Sequence, residues 1–178
     1  MLIFIAGAHA VGKSYLCDNF LKNKSVNDIP VKHKSASQLI KEGKEQSWDI
    51  DKKTRDVDKN QEILLLQLEK IKNNKENLLL DGHFILLSEN GSFNKISYDV
   101  FKSMRIDCVV LIETTDEEIR KRFKERGANL EYDPTELMNL EKNSAKDFCE
   151  EMGVKFISLM SPSIGEFSDI INAELKKE

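Results

Sequence analysis

An unbroken apolar run, Leu2 to Ala6, passes directly into Gly7-Ala8-His9-Ala10-Val11-Gly12-Lys13-Ser14. The run reads as a strand buried on both faces of a parallel sheet. The eight residues after it satisfy the spacing GxxxxGK(S/T), and Tyr15, Leu16, Phe20 and Leu21 then recur at helical intervals from Lys13 to Leu21. Strand, loop and helix in that order make a cradle for a phosphate chain. The glycines let the backbone curl so that its N–H groups face inward, and the helix presents its positive end to the anion. Lys13 is expected to neutralise charge on the outer phosphates and the Ser14 hydroxyl to face Mg²⁺. Gly7, Ala8, His9, Ala10, Val11, Gly12 and, just beyond, Tyr15 complete the expected binding segment. His9 fills a variable position, where it reads as a loop residue whose backbone does the binding.

The rest of the chain continues the alternation of strands and helices. Val31 to Lys34 reads as a short strand after Pro30. Ser35 to Gly43 follows as a helix with a serine cap and a glycine stop, turning Leu39 and Ile40 inward. From Asp56 to about Lys72, Val57, Leu64, Leu68 and Ile71 mark a long amphipathic helix that Asn73 and Asn74 end. Leu78 to Leu80 is a buried strand closed by Asp81 and Gly82. Phe84 to Leu87 reads as a hairpin or a strand extension, and Cys108 to Ile112 as another buried strand. Helices are expected at Asp116 to Arg126, stopping at Gly127, and at Pro134 to about Met152, with Leu137, Met138, Ala145, Phe148 and Met152 on one side. Val154 to Leu159 is the last strand and Ile164 to Leu175 the last helix. Buried strands joined by helices require crossovers, so the expectation is a parallel sheet covered on both faces. No repeat or linker divides the 178 residues, which fit one domain.

Composition narrows the function classes. A hydrophobic fraction of 40% with 33% charged residues suits a helix-rich soluble fold, and a net charge of -4 makes the surface as a whole repel a nucleic-acid backbone. The opening MLIFIA lacks the basic flank and length of a signal peptide, and no stretch is long enough to span a membrane. Cys17, Cys108 and Cys149 are widely spaced and read as buried thiols in a reducing, cytoplasmic setting.

Two further sites carry chemistry. Asp81 ends an apolar strand, at the carboxyl edge beside the phosphate loop, where a carboxylate holds magnesium or its waters; the bland alternative is a turn-forming Asp-Gly pair. In the helix after Cys108 to Ile112, Ile119 and Phe123 mark the buried stripe and Arg122 and Arg126 fall beside it. That pair is shaped to clamp phosphate oxygens in fork geometry, or else it is a basic helix end answering its own dipole.

Together GAHAVGKS, LLLDGH and VVLIETTDEEIRKRFKERG resemble the nucleoside monophosphate kinase superfamily of P-loop proteins. The likeness is to its short-lid, archaeal-type adenylate kinase-like members and to small ATP-binding AAA proteins. The resemblance implies a three-layer α/β P-loop NTPase fold with a five-stranded parallel sheet in order 2-3-1-4-5. It implies an acceptor-binding insert at 35–73, a short lid at 122–134, and transfer of the γ-phosphoryl group of ATP to a nucleotide or nucleoside. Lys13, Asp81, Arg122 and Arg126 would then be catalytic, Ser14 and Asp81 would hold Mg²⁺, and Ser35, Arg55, Gln61 and His83 would face the acceptor. The sequence departs from the family after the third strand. Asp81-Gly82-His83-Phe84-Ile85 stands where many adenylate kinases have Asp-Gly-Phe-Pro-Arg, so the arginine that reads AMP is missing. The departure leaves room for a regulatory switch that hydrolyses ATP slowly and signals to a protein partner. A 5′-end polynucleotide kinase would require a basic groove.

Overall fold

The computed structural model describes residues 1–25, 28–46, 57–88 and 91–177. Its elements run β1 (Leu2–Ala6), α1 (Lys13–Lys22), β2 (Val31–Ser35), α2 (Ala36–Gln46), α3 (Val57–Asn73), β3 (Asn77–Asp81), β4 (Ile85–Leu87), β5 (Phe93–Lys95), α4 (Tyr98–Met104), β6 (Cys108–Glu113), α5 (Asp116–Glu125), α6 (Pro134–Met152), β7 (Lys155–Met160) and α7 (Ile164–Leu175).

Five of the strands form one parallel sheet in the order β2-β3-β1-β6-β7, and β4 and β5 make a separate antiparallel pair. With the hairpin strands set aside, the parallel strands run 2-3-1-4-5 in chain order, flanked by helices as expected. The central strand is the most apolar: every residue of β1 is buried, with Ile3, Ile5 and Ala6 at 0% exposure. Its register sets Ile5 beside Asp81 and Ala6 beside Leu111, while Ser35 pairs with Asp81 on the far side of β3. Because all five strands point one way, Gly7, Ser35, Gly82 and Thr114 emerge along a single edge. Functional groups of an open parallel sheet gather there.

Beneath that edge lies an aromatic cluster. Phe84 stacks on Phe101 at 4.3 Å between centroids, and Phe4 meets Phe84 edge-on at 5.4 Å. Such pairs add about 1 kcal/mol each beyond area burial and hold the segment after β3 against β1. Cys17, Cys108 and Cys149 are free and buried, as their apolar surroundings imply. Among the described residues, no helix is long and apolar enough to cross a membrane.

The structure corrects the sequence reading in two places, at Gly43 and at α4, and decides between its alternatives in a third. Gly43 does not stop α2, which continues to Gln46. It is buried where α2 crosses α3, and a Cβ there would lie 2.4 Å from Ile63 Cγ2. The glycine thus serves close helix contact. Gly43→Ala should destabilise the protein by about 1–2 kcal/mol in urea unfolding, since steric overlap outweighs the roughly 1 kcal/mol of helix propensity that alanine adds. Phe84 to Leu87 resolves as the hairpin alternative, with Ile85 paired to Lys95 and Leu87 to Phe93. Between β5 and β6 stands α4, a short helix absent from the sequence reading; Ser97 caps it by accepting from Asp99 N, and Phe101 and Met104 anchor it. The serine cap expected for α2 is present: Ser35 Oγ accepts from Gln38 N at 3.1 Å, and Ser35 N donates to Gln38 Oε1 at 2.8 Å.

Candidate active site

The phosphate loop is fixed from below. Gly7 adopts φ +142°, and a Cβ on it would lie 2.4 Å from the Ile112 carbonyl oxygen, so the backbone of β6 closes the space that a side chain would need. Gly12, the residue before α1, and Ala10 also have positive φ, at +105° and +65°. Lys13 is 6% exposed, and its ammonium donates to the carbonyls of Gly7 at 2.7 Å and Ala8 at 3.1 Å. Burial lowers its pKa, with Asp81 and Glu141 opposing the shift.

Ser14 donates its hydroxyl to Asp81 Oδ2 at 2.5 Å, joining the first helical turn of α1 to the end of β3. Asp81 Oδ1 lies 3.9 Å from Lys13 Nζ, and Oδ2 lies 3.7 Å from His33 Nε2. Burial raises the Asp81 pKa, but His33, Lys13 and Ser14 outweigh it and hold the carboxyl below its usual range. His33, which the sequence reading did not place in the site, also contacts Asp18 at 3.0 Å. Burial disfavours its charged form, yet Asp81 and Asp18 together raise its pKa. Among the described residues no three His, Cys, Asp or Glu side chains converge as a metal cage. A serine hydroxyl hydrogen-bonded to a buried carboxylate fits Mg²⁺, which is usually held by one or two carboxylates, waters and phosphate oxygens.

A second polar cluster adjoins the loop. His9 packs on His83 with ring centroids 4.1 Å apart. His83 Nε2 stands 3.4 Å from Lys13 Nζ, and Nδ1 stands 3.3 Å from Glu141 Oε1. Glu141, from α6, is 1% exposed and accepts from the backbone N–H groups of Phe84 at 3.0 Å and Ile85 at 3.2 Å. Sequence reasoning missed Glu141, although an acid in line with Leu137, Ala145 and Phe148 on a buried stripe was the available signal.

Burial, His83 and Lys13 push the His9 pKa down from 6.5 to about 4, with Asp81 pulling the other way. The unfolded chain takes up this proton near 6.5 and the folded chain only near 4, so stability falls as pH drops through that window. Allowing for partial exposure, the loss is on the order of 2 kcal/mol. Urea unfolding at pH 7 and pH 4.5 should show it, and His9→Asn should remove that share of the difference.

The expected site residues sort as follows. Arg122 reaches the loop: Nη1 donates to the Ala10 carbonyl at 2.8 Å while Nε is held by Glu118 at 2.9 Å. Arg126 stands exposed at the end of α5, on the rim of a cleft of about 600 Å³. Ser14, Ser35, Gln61, Asp81 and His83 line that cleft, and Ile40, Leu64, Leu86, Ile96, Val100 and Met104 form its apolar side. Gly12, Tyr15, Arg122, Arg126, Ser161 and Pro162 border a smaller cleft of about 370 Å³. Arg55 lies outside the described residues.

A family model described as an AAA domain matches residues 6–139. The chain belongs to that AAA domain family. Among curated proteins none matches the sequence significantly. Solved structures share the fold at low identity. A sugar kinase from Janibacter sp. aligns with TM-score 0.55 and 11% identity over 98% of this chain and 94% of its own. Shikimate kinase from Aquifex aeolicus gives 0.51 and 15% over 99% and 97%. Shikimate kinase from Bacteroides thetaiotaomicron gives 0.56 and 14% over 99% and 98%. The AAA domain member described here therefore has the three-layer architecture of P-loop kinases along nearly its whole length.

Proposed function

We propose that this AAA domain protein is an ATP- and Mg²⁺-dependent phosphotransferase that moves the γ-phosphoryl group of ATP to a small acceptor, a nucleotide or nucleoside on the adenylate kinase-like reading. The observation that carries the proposal is the Gly7–Ser14 loop at the tip of β1, with the Lys13 ammonium inside it and Ser14 tied to Asp81. The likeness to kinase folds supports it. The proposed setting is cytoplasmic, which the three buried free thiols suit.

Lys13 neutralises charge on the phosphate chain, and Arg122, already seated on the loop through Ala10, holds a guanidinium where charge accumulates. Ser14 and Asp81 would hold Mg²⁺, which when bound spreads the negative charge of the phosphates. Arg126 approaches from the rim as part of a short lid at 122–134. Within the acceptor insert proposed at 35–73, of which 47–56 lie outside the described residues, Ser35 and Gln61 border the space for the acceptor together with His83. Such catalysis depends on positioning and charge more than on covalent chemistry.

Incubation of the protein with γ-labelled ATP, Mg²⁺ and a panel of nucleotides, nucleosides and other small alcohols tests the proposal. Label on a small acceptor supports it. Phosphate released only when a partner protein is added would replace it with the regulatory switch.

A further inference from the structure

Arg122 is held at two points of its planar guanidinium. Nε donates to Glu118 Oε1 at 2.9 Å, within helix α5, and Nη1 donates across to the Ala10 carbonyl of the phosphate loop at 2.8 Å. One contact fixes the stem and the other the tip, so the plane of the fork is set. Gly12 leaves the room for it: a Cβ there would lie 3.3 Å from Arg122 Nη1. The two bonds leave the remaining N–H groups of the fork for phosphate oxygens. Glu118 is itself anchored. It is the third residue of α5, its backbone N–H donates to the Thr115 cap at 3.2 Å, and its second oxygen lies 4.0 Å from Lys121 Nζ. A neighbouring pair provides the contrast. Asp116 and Arg120 have the same spacing along α5 and a contact of 2.6 Å, yet Arg120 is 54% exposed and otherwise reaches only Asp133, at 4.0 Å. Arg122 is 30% exposed and ends on the loop.

A free arginine side chain turns about several bonds, and seating it on a phosphate oxygen costs that freedom at the moment of reaction. A fork already seated loses little, and charge aimed in advance is what stabilises the charge developing on a transferring phosphoryl group. We propose that Glu118 is a positioning residue for phosphoryl transfer, holding Arg122 over Gly12 and against Ala10 so that α5 and the phosphate loop present one preset cationic fork. The proposal rests on the phosphotransferase reading above. Glu118 also adds negative charge beside a site for phosphates, which by charge alone disfavours ATP. Simple electrostatics and positioning therefore predict opposite effects of removing it.

The test uses the full chain with Mg²⁺, γ-labelled ATP and the nucleotide or nucleoside that the parent labels fastest. Glu118→Ala should lower kcat roughly tenfold, with KM for ATP moving less than about threefold. Glu118→Gln returns an oxygen that accepts from Nε and should recover most of that loss. In an Arg122→Ala background Glu118→Ala should change kcat less than about twofold, since nothing is left to position. Asp116→Ala removes the matching pair on the same helix and should leave kcat within about twofold of the parent. Equal losses from the Asp116 and Glu118 changes mean that both only support α5. A full loss from Glu118→Ala in the Arg122→Ala background means that Glu118 acts elsewhere, and unchanged or faster transfer by Glu118→Ala alone means that it positions nothing. Each of these overturns the proposal and leaves the phosphotransferase standing; ATP binding with no acceptor labelled by the parent overturns both.

Discussion

Lys13→Ala should lower the rate of phosphoryl transfer on the order of 10³-fold while the protein stays folded. Removing one preorganised charge aimed at the transition state costs roughly 10²- to 10³-fold in other enzymes, and Lys13 sits inside the loop, 6% exposed, where such a charge acts most strongly. Its effect on folding is small for the same reason. Burial already works against its ammonium, lowering its pKa, and its attraction to Asp81 acts across 3.9 Å. Asp81 keeps its hydrogen bond from Ser14 when the lysine is gone. Urea unfolding of the variant should therefore fall within about 1 kcal/mol of the parent. Unchanged turnover in a folded variant would remove Lys13 from the mechanism.

Gly7→Ala should do the opposite and damage fold and function together. The new methyl would sit 2.4 Å from the Ile112 carbonyl oxygen, and Ile112 cannot retreat because β6 holds it in register with Leu159 of β7. The φ of +142° adds backbone strain that a side chain cannot relieve. We expect a loss of about 3–5 kcal/mol in urea unfolding and loss of ATP binding at temperatures where the variant remains folded. Gly127→Ala is the matched control. Its φ is +64°, but nothing lies within 4 Å of the added carbon, so the change should cost only about 1 kcal/mol.

What could be read from the sequence was what local chemistry decides. β1, the loop and the start of α1 are encoded within the first two dozen residues, by an apolar run, spaced glycines and a helical stripe. The last helix was placed at Ile164 to Leu175 as α7 has it, although the capping box of Ser163 and Glu166 that starts it emerged only in the structure. Asp81 was found because it interrupts an apolar strand. Gly43 was misread because a glycine near a helix end and a glycine at a helix crossing look the same until α3 is in place. Glu141 and His33 were missed for a related reason. Their roles come from partners 57 and 15 residues away, which no spacing along one element reveals. α4 is short, and its anchor Phe101 gains meaning only from the aromatic cluster that it joins. The apolar side of the cleft is assembled from α2, α3, the hairpin and α4, so its chemistry emerges only in three dimensions.

Everything proposed for this chain depends on the loop from Gly7 to Ser14 gripping the phosphates of a nucleotide. Calorimetric titration with ATP in the presence of Mg²⁺ measures that directly. One nucleotide per chain should bind in roughly the micromolar to millimolar range, and Lys13→Ala should weaken it at least about tenfold. A folded protein that takes up neither ATP nor GTP under these conditions would contradict the account.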